Sequence, residues 1–240
     1  MENLFDFDNY IFDLYGTLID IHTDEYCGET WEKWIAFLDD YGIKHPALTR
    51  FRDDFFRTDK EHRLRSSVYE YPEIDILKVY DELFTLYGNR KFSEAELFKI
   101  SYRFRVSSRD YCRLFEGVPA FLQRLRALGK KIYILSNAQR SYTLYEIRHF
   151  KLDELVDDFL ISSDYGCMKP DKAFYDAIVR KHCLDRSRSV MLGDSYENDY
   201  RGAINAGLNA IWLSGANAAD GFYTWDREPS PVPPCPRKSR

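Results

Sequence analysis

Four short segments hold the side chains with most to offer chemically. Asp13-Leu14-Tyr15-Gly16-Thr17 sets a carboxylate at the end of an apolar run, with a glycine just beyond it. A carboxylate there can act as a nucleophile or hold a cation, and Gly16 lets the backbone approach a ligand closely. Ser136-Asn137 offers a hydroxyl and the amides that follow it, which can hold an anion at a helix N-terminus. Lys169-Pro170 brings an ammonium able to neutralise an anionic group. Gly193-Asp194-Ser195-Tyr196-Glu197-Asn198-Asp199 carries Asp194 and Asp199, a carboxylate pair suited to ligating a metal. Taken singly, each has a plainer reading: a locally bonded strand-to-turn Asp, a helix N-cap, a solvated lysine, an acidic first helical turn.

The elements that must position these groups are legible. Five short apolar runs read as buried strands: Asn9–Leu14, Lys131–Ser136, Phe159–Ser162, Ser189–Gly193 and Asn209–Leu213. Helix-period segments separate the last four, which predicts βαβ units and a parallel sheet covered on both faces. Val118, Phe121, Leu122 and Leu125 share one helical face before a stop at Gly129, and Asp171 opens another helix after Pro170. A further helix is expected from Asn198 to Ala206, stopped by Gly207.

The interval 21–113 has helical periodicity and no convincing strand. Trp31, Trp34, Ile35 and Leu38 form one stripe, and Leu48, Phe51 and Phe55 a second. Ile76, Tyr80, Leu83, Phe84 and Tyr87 form a third, and Ser93 with Glu96 is a capping box for a fourth helix. A helical bundle therefore interrupts an α/β chain after its first strand. The expected organisation is a core of residues 1–20 and 114–220, an insert of 21–113 and a flexible, proline-rich tail of 221–240.

Four strand ends of one parallel sheet put all four segments on one rim, where open α/β sheets bind ligands. Together they supply a nucleophilic carboxylate, an anion hook, a lysine and further carboxylates, a set that fits metal-assisted phosphoryl transfer. Composition excludes several other classes. The 240 residues are 45% hydrophobic and carry a net charge of −5, which argues against a nucleic-acid or anionic-membrane binder. No apolar run is long enough to span a bilayer, and Met1–Tyr10 is acidic, unlike a signal peptide. Five widely spaced cysteines without a CxxC pair suggest a reducing cytoplasm rather than disulfides or structural zinc.

In order and separation, Asp13–Thr17, Ser136–Asn137, Lys169–Pro170 and Gly193–Asp199 resemble motifs one to four of the haloacid dehalogenase superfamily, across residues 5–215. The insert stands where that superfamily carries a cap. The resemblance implies a Rossmann-like core with an inserted helical cap domain. It also implies a hydrolase in which Asp13 is the nucleophile. In the phosphatase branch Asp13 forms an acyl phosphate that water hydrolyses. Mg²⁺ is then held by the Asp13 carboxylate, the Tyr15 carbonyl and Asp194. Ser136 and Lys169 bind the phosphoryl oxygens, with Gly16 and Thr17 lining the phosphate site and a backbone contact from Asn137. Asp199 orients Lys169 or supports the metal shell.

One position departs from the phosphatase pattern. Those enzymes carry a second Asp two residues after the nucleophile, as general acid and base; here it is Tyr15. That Tyr resembles the first motif of the 2-haloacid dehalogenases, which attack carbon, expel halide and need no metal. Their halide-binding arginine has no clear counterpart, although Lys44 and Arg50 lie at a suitable distance along the chain. Asp194 pulls the other way, because dehalogenases replace it with a small neutral residue. The expected activity is an Mg²⁺-dependent phosphatase of a small phosphorylated metabolite, with a dehalogenase or a binding-only protein as the alternatives. His22, between Asp20 and Asp24, reads either as a substitute acid/base or as a hinge hydrogen bond.

Overall fold

The computed structural model describes residues 4–65 and 68–213. In chain order the elements are β1 (Asn9–Phe12), β2 (Ile19–Thr23), α1 (Gly28–Asp40), α2 (Leu48–Arg65), α3 (Ile76–Leu86), α4 (Glu94–Ser108) and β3 (Arg109–Leu114). There follow α5 (Val118–Ala127), β4 (Lys131–Ser136), α6 (Arg140–His149), β5 (Asp158–Ile161), α7 (Lys172–His182), β6 (Ser189–Gly193), α8 (Gly202–Asn205) and β7 (Asn209–Trp212). The fold is α/β, as expected. The proline-rich segment 221–240 lies outside the described residues.

All five expected strands join one parallel sheet of order β5-β4-β1-β6-β7. Side-chain alternation in β1 explains its two-sided burial. Tyr10 and Phe12 pack with Val118, Phe121, Leu122 and Leu125 of α5, whereas Ile11 faces Phe174, Tyr175 and Ile178 of α7. Register then sets the rim. Phe12 pairs with both Ile134 and Leu192, so the residues that follow emerge side by side.

Helices α1 to α4 share a separate aromatic cluster. Trp31 and Trp34 are fully buried; Trp34 stacks on Phe51 with ring centroids 5.3 Å apart and donates its indole N–H to Ile100 O. The Ser93–Glu96 capping box opens α4. This cluster does not close on itself. Tyr142 of α6 is part of it, and Ser101 of α4 bonds Ser141 at 2.6 Å.

The expectation of a strand-free interval over 21–113 fails at both ends. β2 and β3 form an antiparallel ribbon at the entry to and exit from the helical insert. Its strands alternate Ile19 and Ile21 with Asp20 and His22, and Asp20 accepts from Arg113 across the ribbon at 2.8 Å. One polar, partly exposed face leaves no apolar run for pattern reading to find. The expected helix from Asn198 also differs. A wide π-type turn over Tyr196–Arg201 precedes the short α8.

Candidate active site

Asp13 leaves β1 with its N–H bonded to Leu192 O at 2.9 Å, and its carboxylate is buried. Lys169 Nζ donates to Asp13 Oδ1 and to Asp199 Oδ1, both at 2.7 Å. Lys169 reaches this point from a loop that Asn137 holds at both ends of one residue. Asn137 Nδ2 donates to Lys169 O and Lys169 N donates to Asn137 Oδ1, each at 2.8 Å. The insert braces the same loop from outside: Glu73 N donates to Gly166 O and Met168 N to Tyr71 O, both at 3.0 Å.

The π-type turn gives Asp199 its place. It turns the carboxylate back over the strand end, where Ser195 N donates to Asp199 Oδ2 at 2.9 Å. A side chain at Gly193 would collide with that carboxylate, and one at Gly16 would collide with Asp194; Gly16 also has a φ of +83°. Asp194 is the exposed member of the group, its carbonyl held by Trp212 Nε1 at 2.9 Å.

The electrostatics of this rim are unbalanced. Asp13, Asp194 and Asp199 can each point an oxygen into a space where all lie within 4.8 Å of one another, and Lys169 is the cation bonded among them. Burial pushes the Asp13 carboxyl upward, and Asp199 and Asp194 add to the effect while Lys169 opposes it. Burial and the charge of Asp199 raise Asp194 as well. Burial alone would lower the Lys169 ammonium, but Asp13 and Asp199 outweigh it and hold the pKa above its usual value. Clustered carboxylates with one ammonium fit a hard divalent cation, which takes oxygen ligands and removes their mutual repulsion.

Two buried hydroxyls complete the rim. Ser136 Oγ has no hydrogen-bond partner, and Thr17 Oγ1 makes no well-aligned bond although it lies beside Asp194. Buried hydroxyls are ordinarily satisfied. A pair of them at the strand ends that carry Asp13 and Asp194 suits the oxygens of a tetrahedral anion.

The Tyr15 side chain turns away from this group. Its phenol donates to Glu146 Oε2 and lies 3.2 Å from Thr143 Oγ1, both on α6. Glu146 is 1% exposed and also accepts from Arg105 Nε at 3.1 Å and Arg109 Nη1 at 3.3 Å. The Arg105 guanidinium covers the Tyr15 ring, 5.0 Å from its centroid. Burial raises the phenol pKa well above its usual value; Arg105 opposes this and the charge of Glu146 adds to it.

Residues 7–207 match the haloacid dehalogenase-like hydrolase family. The chain belongs to that family. Among characterised relatives it is 32% identical over 117 residues to the pyrimidine 5'-nucleotidase YjjG of Escherichia coli, covering 48% of this chain and 52% of that one. It is 24% identical over 197 residues to the GMP/IMP nucleotidase YrfG of the same species, covering 79% and 75%. The chain thus spans about half the length of YjjG and more of YrfG. A crystal structure of a HAD phosphatase from Thermococcus onnurineus shares the fold, with a TM-score of 0.53, 18% identity and 85% of each chain covered.

For a haloacid dehalogenase-like hydrolase, the structure gathers the sequence-assigned residues on one rim and sorts the remainder. Asp13, Thr17, Ser136, Lys169, Asp194 and Asp199 meet there, and the Asn137 side chain serves the Lys169 loop. His22 is exposed on β2, bonded through Nδ1 to Asp110 of β3 at 2.7 Å. Lys44 Nζ donates to Gly88 O and Arg50 faces Asp54, both within the insert. Sequence reading missed Arg105, Arg109 and Glu146. Nothing in their spacing links them, since α4, the start of β3 and α6 meet only through the tertiary fold.

Proposed function

We propose that this hydrolase is an Mg²⁺-dependent phosphatase of a small phosphorylated metabolite, working through an aspartyl-phosphate intermediate on Asp13. The observation that carries this reading is the surplus of carboxylates around Lys169. A carboxylate-bearing haloacid would meet that negative charge, whereas a phosphate brought in with a divalent cation would not. The relatives named as nucleotidases support the same chemistry.

The Asp13 carboxylate, oriented through Oδ1 by Lys169, attacks phosphorus. Lys169 neutralises charge on the phosphoryl oxygens, and Ser136 Oγ and Thr17 Oγ1 have their donor capacity free to bond them. Asp199 keeps Lys169 aimed at the nucleophile. Water then hydrolyses the acyl phosphate and restores Asp13. Mg²⁺ would be held by Asp13, the Tyr15 carbonyl and Asp194, and supplies further neutralisation of the phosphoryl group.

Phosphate release from a panel of phosphate esters with Mg²⁺, and its loss in EDTA, is the test. Halide release from 2-chloropropionate without phosphatase activity would replace the reading with the dehalogenase one. Asp194→Asn should raise the Mg²⁺ concentration needed for half-activation by about tenfold or more. The same variant should show a smaller Mg²⁺-induced rise in thermal midpoint, which reads metal binding independently of turnover. An unchanged Mg²⁺ titration would remove Asp194 from the metal site.

A further inference from the structure

An alkoxide leaves phosphorus readily only if it receives a proton as it departs, whereas a carboxylate, a phenolate or an enolate departs as the bare anion. The proton inventory of the rim therefore limits the substrate. Lys169 commits two of its three ammonium protons to Asp13 and Asp199 at 2.7 Å each, and in the phosphatase reading the third goes to a phosphoryl oxygen. Asp199 accepts from Lys169 and from Ser195 N. Asp194 would hold the cation in the reading above, and the hydroxyls of Ser136 and Thr17 are too weak as acids to protonate a leaving group.

Two phenols remain near the rim among the described residues: Tyr175, close to Asp13 and Asp199, donates its proton to Asn198 O, and Tyr15, two residues after the nucleophile, has its single phenolic proton engaged elsewhere. The O–H donates to Glu146, a buried carboxylate that also holds Arg105 through two nitrogens at 3.1 and 3.5 Å. Arg105 is itself buried, over the ring of Tyr15 and within 5.5 Å of that of Tyr142. Freeing the phenol would take one donor from Glu146 and open a packed junction between α4, α6 and the nucleophile loop. The Tyr15 side chain is thus a tie between insert and core, with its proton directed away from the scissile bond.

We propose that the site takes phosphate compounds whose leaving group departs without a proton, namely acyl phosphates and aryl or enol phosphates, in preference to alkyl esters. This rests on the phosphatase reading above. An Asp13 oxygen forms the new bond to phosphorus as the bond from phosphorus to the leaving oxygen breaks. That oxygen keeps the electron pair and leaves as an anion. A water oxygen then bonds to phosphorus, Asp13 leaves as a carboxylate, and both protons of the water remain on the inorganic phosphate or pass to solvent.

The test compares phosphate release by the full chain with Mg²⁺ from acetyl phosphate, p-nitrophenyl phosphate, phenyl phosphate and benzyl phosphate. Phenyl and benzyl esters are alike in size but differ in the basicity of the oxygen released. We expect benzyl phosphate to fall below p-nitrophenyl phosphate in kcat/KM by about 100-fold or more, with phenyl phosphate between them. In Tyr15→Phe the ratios among the four substrates should stay as in the parent protein. Equal rates for benzyl and p-nitrophenyl phosphate would overturn the proposal and leave the phosphatase reading standing. So would a Tyr15→Phe variant that selectively loses the benzyl ester, because the phenol would then be the donor. Should that variant not fold, the four-substrate comparison on the parent protein decides alone. No phosphate release from any of the four would overturn the phosphatase reading, and this proposal with it.

Discussion

Asp13→Asn should abolish phosphate release and leave the fold intact. The carboxamide keeps the size and planar shape of the carboxylate, so the end of β1 and its bond from Asp13 N to Leu192 O need not move. It is not a nucleophile towards phosphorus, and loss of a nucleophile in other hydrolases costs about 10⁴-fold or more in turnover. Lys169 keeps Asp199 at 2.7 Å, so its charge stays paired. One carboxylate fewer in a crowded group also relieves repulsion between Asp13, Asp194 and Asp199. We therefore expect a thermal midpoint at or slightly above that of the parent, and no phosphorylated protein by mass spectrometry after exposure to substrate. Retained Mg²⁺-dependent hydrolysis in this variant would remove Asp13 as the nucleophile.

Lys169→Met fails in a different way. The side chain is one atom shorter and fills most of the same space, but Asp13 and Asp199 lose the ammonium that both of them bond. The Lys169 side chain is 1% exposed, so its loss leaves two carboxylates facing one another in a largely buried place. Removing one partner of a buried charge pair costs roughly 3–5 kcal/mol, because the other partner is left unpaired. We expect urea denaturation to show a loss of that order, and phosphate release to fall with it. Added Mg²⁺ should restore part of the stability, since a cation bound among the same carboxylates supplies the missing charge. A variant as stable as the parent would show that the two aspartates do not depend on Lys169.

Local chemistry carried much of this protein into view. Ser93 and Glu96 stand three apart ahead of an apolar stripe, and they form the box that opens α4. Asp171 caps α7 through Ala173 N, as a carboxylate after Pro170 suggests. The strands β1, β4 and β6 were legible because a strand buried on both faces must be a short apolar run. The ribbon of β2 and β3 was not, because it is half exposed and its apolar residues are diluted by Asp20, His22, Arg109 and Arg113.

The α/β class, the parallel sheet and the segments that meet on its rim follow from the sequence alone. Strand periodicity locates the strand ends, and a parallel sheet brings all its C-terminal ends to one edge. Tertiary structure decided how those residues are used there. Asn137 could have faced a substrate and instead grips the backbone of Lys169. Asp199 reaches Lys169 only because the chain widens into a π-type turn before α8. Tyr15 could have faced the reaction, and its phenol is claimed by Glu146. That last outcome depends on Arg105 of the insert, distant in the chain from both and buried against them. Pairing of buried charges is settled by which side chains are excluded from water together, and only the packed chain determines that.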